Sequence, residues 1–188
     1  MLSFEIGNTT VHLLPLLIVL FIAIIGVAFH VILLSRRNKE VVKLCQMGKY
    51  NDSIILAQKQ LNYYRRTLKN GNTKSVIEMM YLHIAISYFG LSNDEQFVHN
   101  IAQIDEENLE KHFWLALFYL TKYESNEFQT QYDILETMHV NENYLSYLSS
   151  LKKLQKCDDS DARNTLLTLT PKLNFELLQD ISQKILNQ

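Results

Sequence analysis

At 188 residues, 47% apolar and 20% charged, the chain is too rich in core-forming side chains to stay disordered and long enough for one folded domain beside a membrane segment. A net charge of −2 selects no partner by itself. Cys45 and Cys157 stand far apart, with no C-x-x-C pair and no clustered histidines, which excludes a zinc site or disulfide framework and leaves two reduced thiols.

Residues 1–10 read as a short extracytoplasmic tail. Its Asn8-Thr9-Thr10 matches a glycosylation sequon, discounted because it abuts the membrane. Residues 11–34, from Val11 to Leu34, carry no Lys, Arg, Asp or Glu. At about 1.5 Å per residue they span the roughly 30 Å of hydrocarbon. The segment lacks the basic start, short apolar core and A-x-A-like site of a cleaved signal peptide, so it is expected to remain as a transmembrane helix. On a helical wheel His12, Pro15, Val19, Ala23, Gly26 and His30 share one face, and small and polar residues on one face favour contact with another membrane helix.

No Lys or Arg precedes the span, whereas Arg36, Arg37, Lys39 and Lys43 follow it directly. Basic excess marks the cytoplasmic side. The expected location is therefore a cell membrane, the bacterial cytoplasmic membrane, crossed once with the N-terminus outside and the following domain inside. The same four residues are placed to meet lipid headgroups. They belong to a basic juxtamembrane helix, 35–49. Residues 36–74 hold ten basic side chains against Glu40 and Asp52, whereas residues 75–150 hold twelve acids against Lys111 and Lys122.

Beyond the anchor, apolar residues recur at helical spacing, as in Met80, Ile84, Tyr88 and Leu91. Five Gly and two Pro leave few sheet turns. Polar breaks at Gly48, Lys69, Ser92, Asp105, Glu124, Asn141 and Asp158 offer Ser, Asn or Asp caps. They predict eight helices joined by short turns.

Two segments match 31 residues apart. Tyr81-x-x-Ile84-Ala85-x-x-Tyr88, Ser92-Asn-Asp and Phe97-x-x-x-Ile101-x-x-Ile104 are followed by His112-x-x-Leu115-Ala116-x-x-Tyr119, Glu124-Ser-Asn and Phe128-x-x-x-Tyr132-x-x-Leu135. A further unit runs from Tyr144-x-x-Tyr147-Leu148-x-x-Leu151 to Ala162-x-x-x-Leu166-x-x-Leu169 before Pro171. This pattern resembles the tetratricopeptide repeat, a helical hairpin of 34 residues, and Gly48-Lys-Tyr50-Asn-Asp-Ser53-Ile54 resembles that family's inter-helix turn. The departures are a 31-residue spacing, Phe97 and Phe128 in place of a small residue, and an insertion at 62–75.

The resemblance implies an all-α protein: a transmembrane helix, then an α-solenoid of three to four tetratricopeptide-like hairpins over 50–171, closed by a C-terminal capping helix at 172–188. It also implies a concave groove lined by Met79, Leu82, Ile86 and Phe89 from one unit and Phe113, Leu117 and Leu120 from the next. Such a groove would take a protein partner, a peptide or helix with apolar anchors and basic flanks. Phe175, Leu178, Ile181 and Ile185 give the last helix an apolar stripe. Two uses for it stay open: capping the last hairpin, or folding back into the groove near Phe89 and Phe113.

No phosphate-binding glycine motif, zinc-hydrolase motif or nucleophile elbow occurs, and the histidines are scattered. Neither an enzyme nor a cofactor is expected. Nucleic acid is not expected either, because the aromatic-rich middle is acidic. The function expected is a membrane-anchored scaffold or adaptor that meets a protein and the lipid bilayer. The alternative is an accessory subunit that docks on another membrane protein through its transmembrane helix.

Overall fold

The computed structural model describes the backbone of residues 3–6, 9–67, 73–157, 159–173 and 175–187, with side chains from Leu17 onward. The chain divides into two compact units, residues 1–39 and 40–188.

In the first unit β1 (Ser3–Ile6) and β2 (Thr9–His12) form an antiparallel ribbon, with Ser3 opposite His12 and Phe4 opposite Val11. The helix α1 starts at Leu13 and ends at Gln46. Val11 and His12 therefore belong to a strand and not to the span. The β-branched run Thr9-Thr10-Val11 favours that outcome, and Pro15 suits a first helical turn. Every side chain from Leu17 to Ile32 is exposed, and the helix is long and apolar enough to cross a membrane. Residues 35–46 form no separate juxtamembrane helix. They continue α1, since neither Gly nor Pro interrupts the chain between Leu34 and Met47.

The second unit is all-helical among the described residues. After the last turns of α1 come α2 (Tyr50–Thr67), α3 (Lys74–Gly90), α4 (Asp94–Ile101), α5 (Leu109–Thr121), α6 (Ser125–Thr137), α7 (Glu142–Lys156), α8 (Ser160–Leu169) and α9 (Glu176–Leu186). The expected insertion at 62–75 is in part helix, because α2 runs to Thr67; residues 68–72 lie outside the described ones. The last helix starts at Glu176 and not Lys172. A 3-10 turn at Thr170–Lys172 carries Pro171, and an extended Phe175 intervenes.

Four helix starts use the polar breaks as expected. Asn93, Asn108, Asn141 and Asp159 each accept a backbone N–H from the following turn, at 2.9–3.2 Å, a cap contributing about 1 kcal/mol. At α6 the N-cap position is taken by Glu124, without a side-chain cap.

Four helix ends share one turn geometry. Gly48, Ser92, Tyr123 and His139 are left-handed, with φ of 68°, 56°, 62° and 53°. The next amide donates to the carbonyl five residues back in each: Lys49 to Leu44, Asn93 to Tyr88, Glu124 to Tyr119 and Val140 to Leu135, at 2.9, 2.9, 3.0 and 3.5 Å. These are Schellman closures. The end of α7 departs from them, with Cys157 extended at φ −158°.

α3 packs on α4, α5 on α6 and α7 on α8, while α3, α5, α7 and α9 are neighbours in that order. Ala85 and Ala116 are fully buried, allowing close approach. Phe97, also fully buried, stacks on Phe118 with ring centroids 4.6 Å apart, and Phe89 leans on both at 5.3 and 5.7 Å. Such pairs contribute about 0.5–1.5 kcal/mol each beyond burial. Phe97 and Phe128 thus fill space that a smaller residue at the same place would leave empty.

Candidate interaction site

The first turns of α9 meet α5 and α7. The Phe175 ring sits edge-on to Trp114, centroids 5.2 Å apart. The buried Tyr147 hydroxyl donates to the Leu178 carbonyl oxygen at 3.0 Å and lies 3.1 Å from Ser182 Oγ, which is 3.0 Å from Thr170 Oγ1. Burial raises the Tyr147 pKa, its Ser182 bond opposing, so the phenol stays neutral and available as a donor. At the far end Arg163 donates to the Leu186 carbonyl at 2.8 Å.

The same helix reaches the α1–α2 turn. A methyl group added to Gly48 would come within 2.7 Å of Glu176 Oε2. Burial, then the nearby Cys45, Asp180 and Glu176, push the Tyr50 phenol up to about 12. The Tyr50 hydroxyl is buried without a hydrogen-bond partner.

On one flank of α9 is a cavity of about 370 Å³ lined by Val42 of α1, Met79, Leu82, His83 and Ile86 of α3, Leu109, Glu110, Phe113 and Trp114 of α5, Tyr144 of α7, and Phe175 and Leu178. Its lining is mainly apolar. Glu110 is exposed at the level of the whole residue, yet partial burial still raises its carboxyl pKa. His83 is buried, and its Nδ1 lies 2.8 Å from the Met79 carbonyl, an acceptor only, so Nδ1 carries the proton. Burial lowers its pKa more than that bond raises it.

On the other flank a cavity of about 300 Å³ lies among Phe89, Gly90, Asp94, Lys122, Tyr123 and Gln155 on one side and Leu177, Asp180, Ile181, Lys184 and Ile185 on the other. Asp94 pairs with Lys122, while its Oδ1 is buried without a partner.

Of the seven expected groove residues, Met79, Leu82, Ile86 and Phe113 share the first cavity and Phe89 borders the second. Leu117 and Leu120 are buried in the core and line neither. Sequence reasoning passed over Glu110, Trp114 and Tyr144. The lone tryptophan beside Phe113 was the available signal for one of them.

Along the apolar stretch of α1, Ala23, Gly26 and His30 are exposed, and a methyl at Gly26 would meet nothing within 4 Å. The side chains of His12 and Pro15 lie outside the described ones. Arg36, Arg37, Lys39 and Lys43 are all exposed.

His112 is structural: Nδ1 lies 2.7 Å from Gln131 Oε1 and Nε2 2.7 Å from the Glu106 carbonyl. Among the described residues no group of three His, Cys, Asp or Glu is placed to hold a metal. No family model, curated protein or solved structure matches the chain.

Proposed function

We propose that the chain is a membrane-anchored interaction protein whose helical domain receives a protein partner on the cytoplasmic side. The observation that carries this reading is the contrast between its helices. α1 presents apolar side chains outward from Leu17 to Ile32, His30 being the polar exception, whereas α3, α5 and α7 bury theirs. A continuous exposed apolar surface of this length is unfavourable in water, and lipid relieves it. The basic side chains Arg36, Arg37, Lys39 and Lys43 after the span favour the cytoplasmic placement and suit anionic headgroups.

We read the domain as a tetratricopeptide-like array. The four Schellman turns and the paired Ala85 and Ala116 support it, and the face formed by α3, α5 and α7 corresponds to that family's groove.

The test is alkaline extraction of membranes from cells producing the full chain or a chain lacking residues 1–35. The full chain should stay in the membrane pellet, and the shortened chain should be soluble with an unchanged helical circular-dichroism spectrum. A photo-crosslinker placed at Glu110 should give one discrete adduct in the membrane fraction. Release of the full chain by alkali, or a smear of adducts indifferent to the anchor, would refute the proposal.

A further inference from the structure

We infer that the cavity bordered by α3, α5, α7 and Phe175 is a binding site for a small organic ammonium ion, held by Glu110 beside a set of aromatic rings. The inference goes beyond the interaction-protein reading and does not depend on it.

The rings are the first observation. Phe113, Trp114, Tyr144 and Phe175 all line this cavity of about 370 Å³, a volume within the ordinary range of small-ligand sites. They form a continuous series of edge-to-face pairs. Tyr144 meets Phe113, Phe113 meets Trp114 and Trp114 meets Phe175, with centroids 4.8, 5.5 and 5.2 Å apart and planes inclined at 69°, 81° and 73°. Neighbouring planes therefore stand like adjoining walls and not like a stack. Aromatic faces carry a negative potential, so several rings around one space attract a cation more than a neutral molecule of the same shape.

Charge is the second observation. Glu110 is the one carboxylate of the lining, and no Lys or Arg lines the cavity among the described residues. Glu110 joins none of the ion pairs among those residues. The adjacent Lys111 is committed elsewhere, to the Ile104 carbonyl at 2.9 Å and to Glu106. The Glu110 charge reaches the rings: burial first, and then Glu110, raise the Tyr144 phenol. His83 supplies no positive charge, since burial lowers its pKa. Its Nδ1 donates to the Met79 carbonyl, which leaves Nε2 as an acceptor. A carboxylate or phosphate ligand would meet its own sign here without a cationic partner. An ammonium ion meets a carboxylate and ring faces, while its alkyl groups cover the apolar wall.

Trp114 is the single tryptophan of the chain, so its fluorescence reports on the site. The full chain in a nonionic detergent is titrated with choline and, separately, with the uncharged carbon isostere in which a tert-butyl group replaces the trimethylammonium group. Choline should change the fluorescence saturably, with an affinity about five- to thirtyfold above that of the isostere. Equal affinities would show an apolar cleft indifferent to charge and would overturn the inference, as would the absence of a saturable change.

Two variants locate the ion. Glu110→Gln alters an exposed side chain at constant size, and should keep the parent melting temperature while weakening choline about three- to fivefold. Tyr144→Leu keeps an apolar wall and should weaken choline by about the same factor. Neither should change the affinity of the isostere. Parent-like choline binding by Glu110→Gln, or equal losses for both probes in either variant, would overturn the site. Those outcomes leave the alkaline-extraction test of the anchored reading untouched.

Discussion

The Tyr147 hydroxyl on α7 donates to the main-chain oxygen of Leu178 on α9 across 3.0 Å, inside a buried cluster with Ser182 and Thr170. Ser182 Oγ also donates to that oxygen, at 2.7 Å. Loss of the phenol therefore leaves the acceptor satisfied. Tyr147→Phe should cost about 1 kcal/mol, the net value of one hydrogen bond, and should accelerate exchange in α9 more than in α5. Tyr147→Ala removes a fully buried ring and should cost about 3–5 kcal/mol. Thermal melts and exchange rates on the two variants check this, and equal effects of Phe and Ala would contradict it.

Ala85 and Ala116 occupy equivalent places in α3 and α5, both fully buried. Leucine at either should overpack the helix contacts and lower stability by about 1–3 kcal/mol. Unaltered denaturant midpoints in both variants would show that the two positions are not close-contact sites.

Ser92 and Tyr123 adopt the left-handed conformation that Gly48 adopts at the matching turn. That conformation costs a non-glycine residue about 1–2 kcal/mol, so Ser92→Gly should raise stability, by up to about 1 kcal/mol after the added freedom of the unfolded chain. Gly48→Ala should do the reverse, since it adds strain and meets Glu176. Urea midpoints compared with the parent chain decide the signs.

The two cysteines differ in access. Cys45 is buried against Ser87 and the His83 carbonyl, and burial pushes its thiol up to about 11, against the lowering effect of Ser87 and Ser53. Cys157 is exposed. In detergent at pH 8 one thiol per chain should react quickly with an aromatic disulfide reagent, and the second only on unfolding. On intact cells a membrane-impermeant reagent should spare Cys157 and label Ser3→Cys. The opposite labelling would invert the proposed topology.

The buried His83 makes stability depend on pH. Its folded pKa lies below the ordinary value of about 6.5, chiefly because of burial. As pH falls through that value, the unfolded chain takes up a proton that the folded chain resists, so stability falls. Asp105 and Asp159, lowered mainly by their Lys74 and Ala162 hydrogen bonds respectively, act in the same direction but only in the carboxylate range. Glu110, raised by burial, acts in the opposite direction there. Between pH 7.5 and 5.5 the melting temperature should therefore fall more in the parent chain than in His83→Gln. Identical slopes would remove His83 from the account.

Sequence alone was sufficient where physics acts locally. The uncharged run before Arg36, the eight helices after α1, and the caps at Asn93, Asn108, Asn141 and Asp159 follow from hydropathy, period and short-range hydrogen bonding, and so do the buried alanines of matched helices. The strand pairing of Val11 with Phe4 was missed because a run of apolar residues reads the same in a strand as in a membrane helix. The start of α9 was misplaced by four residues because Pro171 supports either a helix start or a 3-10 turn. Tertiary structure alone decided where α9 goes. The stripe Phe175, Leu178, Ile181 and Ile185 states that one face must be covered, but an amphipathic pattern carries no address. Only the convergence of Trp114, Tyr147 and the Gly48 turn, brought together from positions up to 99 residues apart, places that stripe on α5 and α7 and leaves cavities on both its sides.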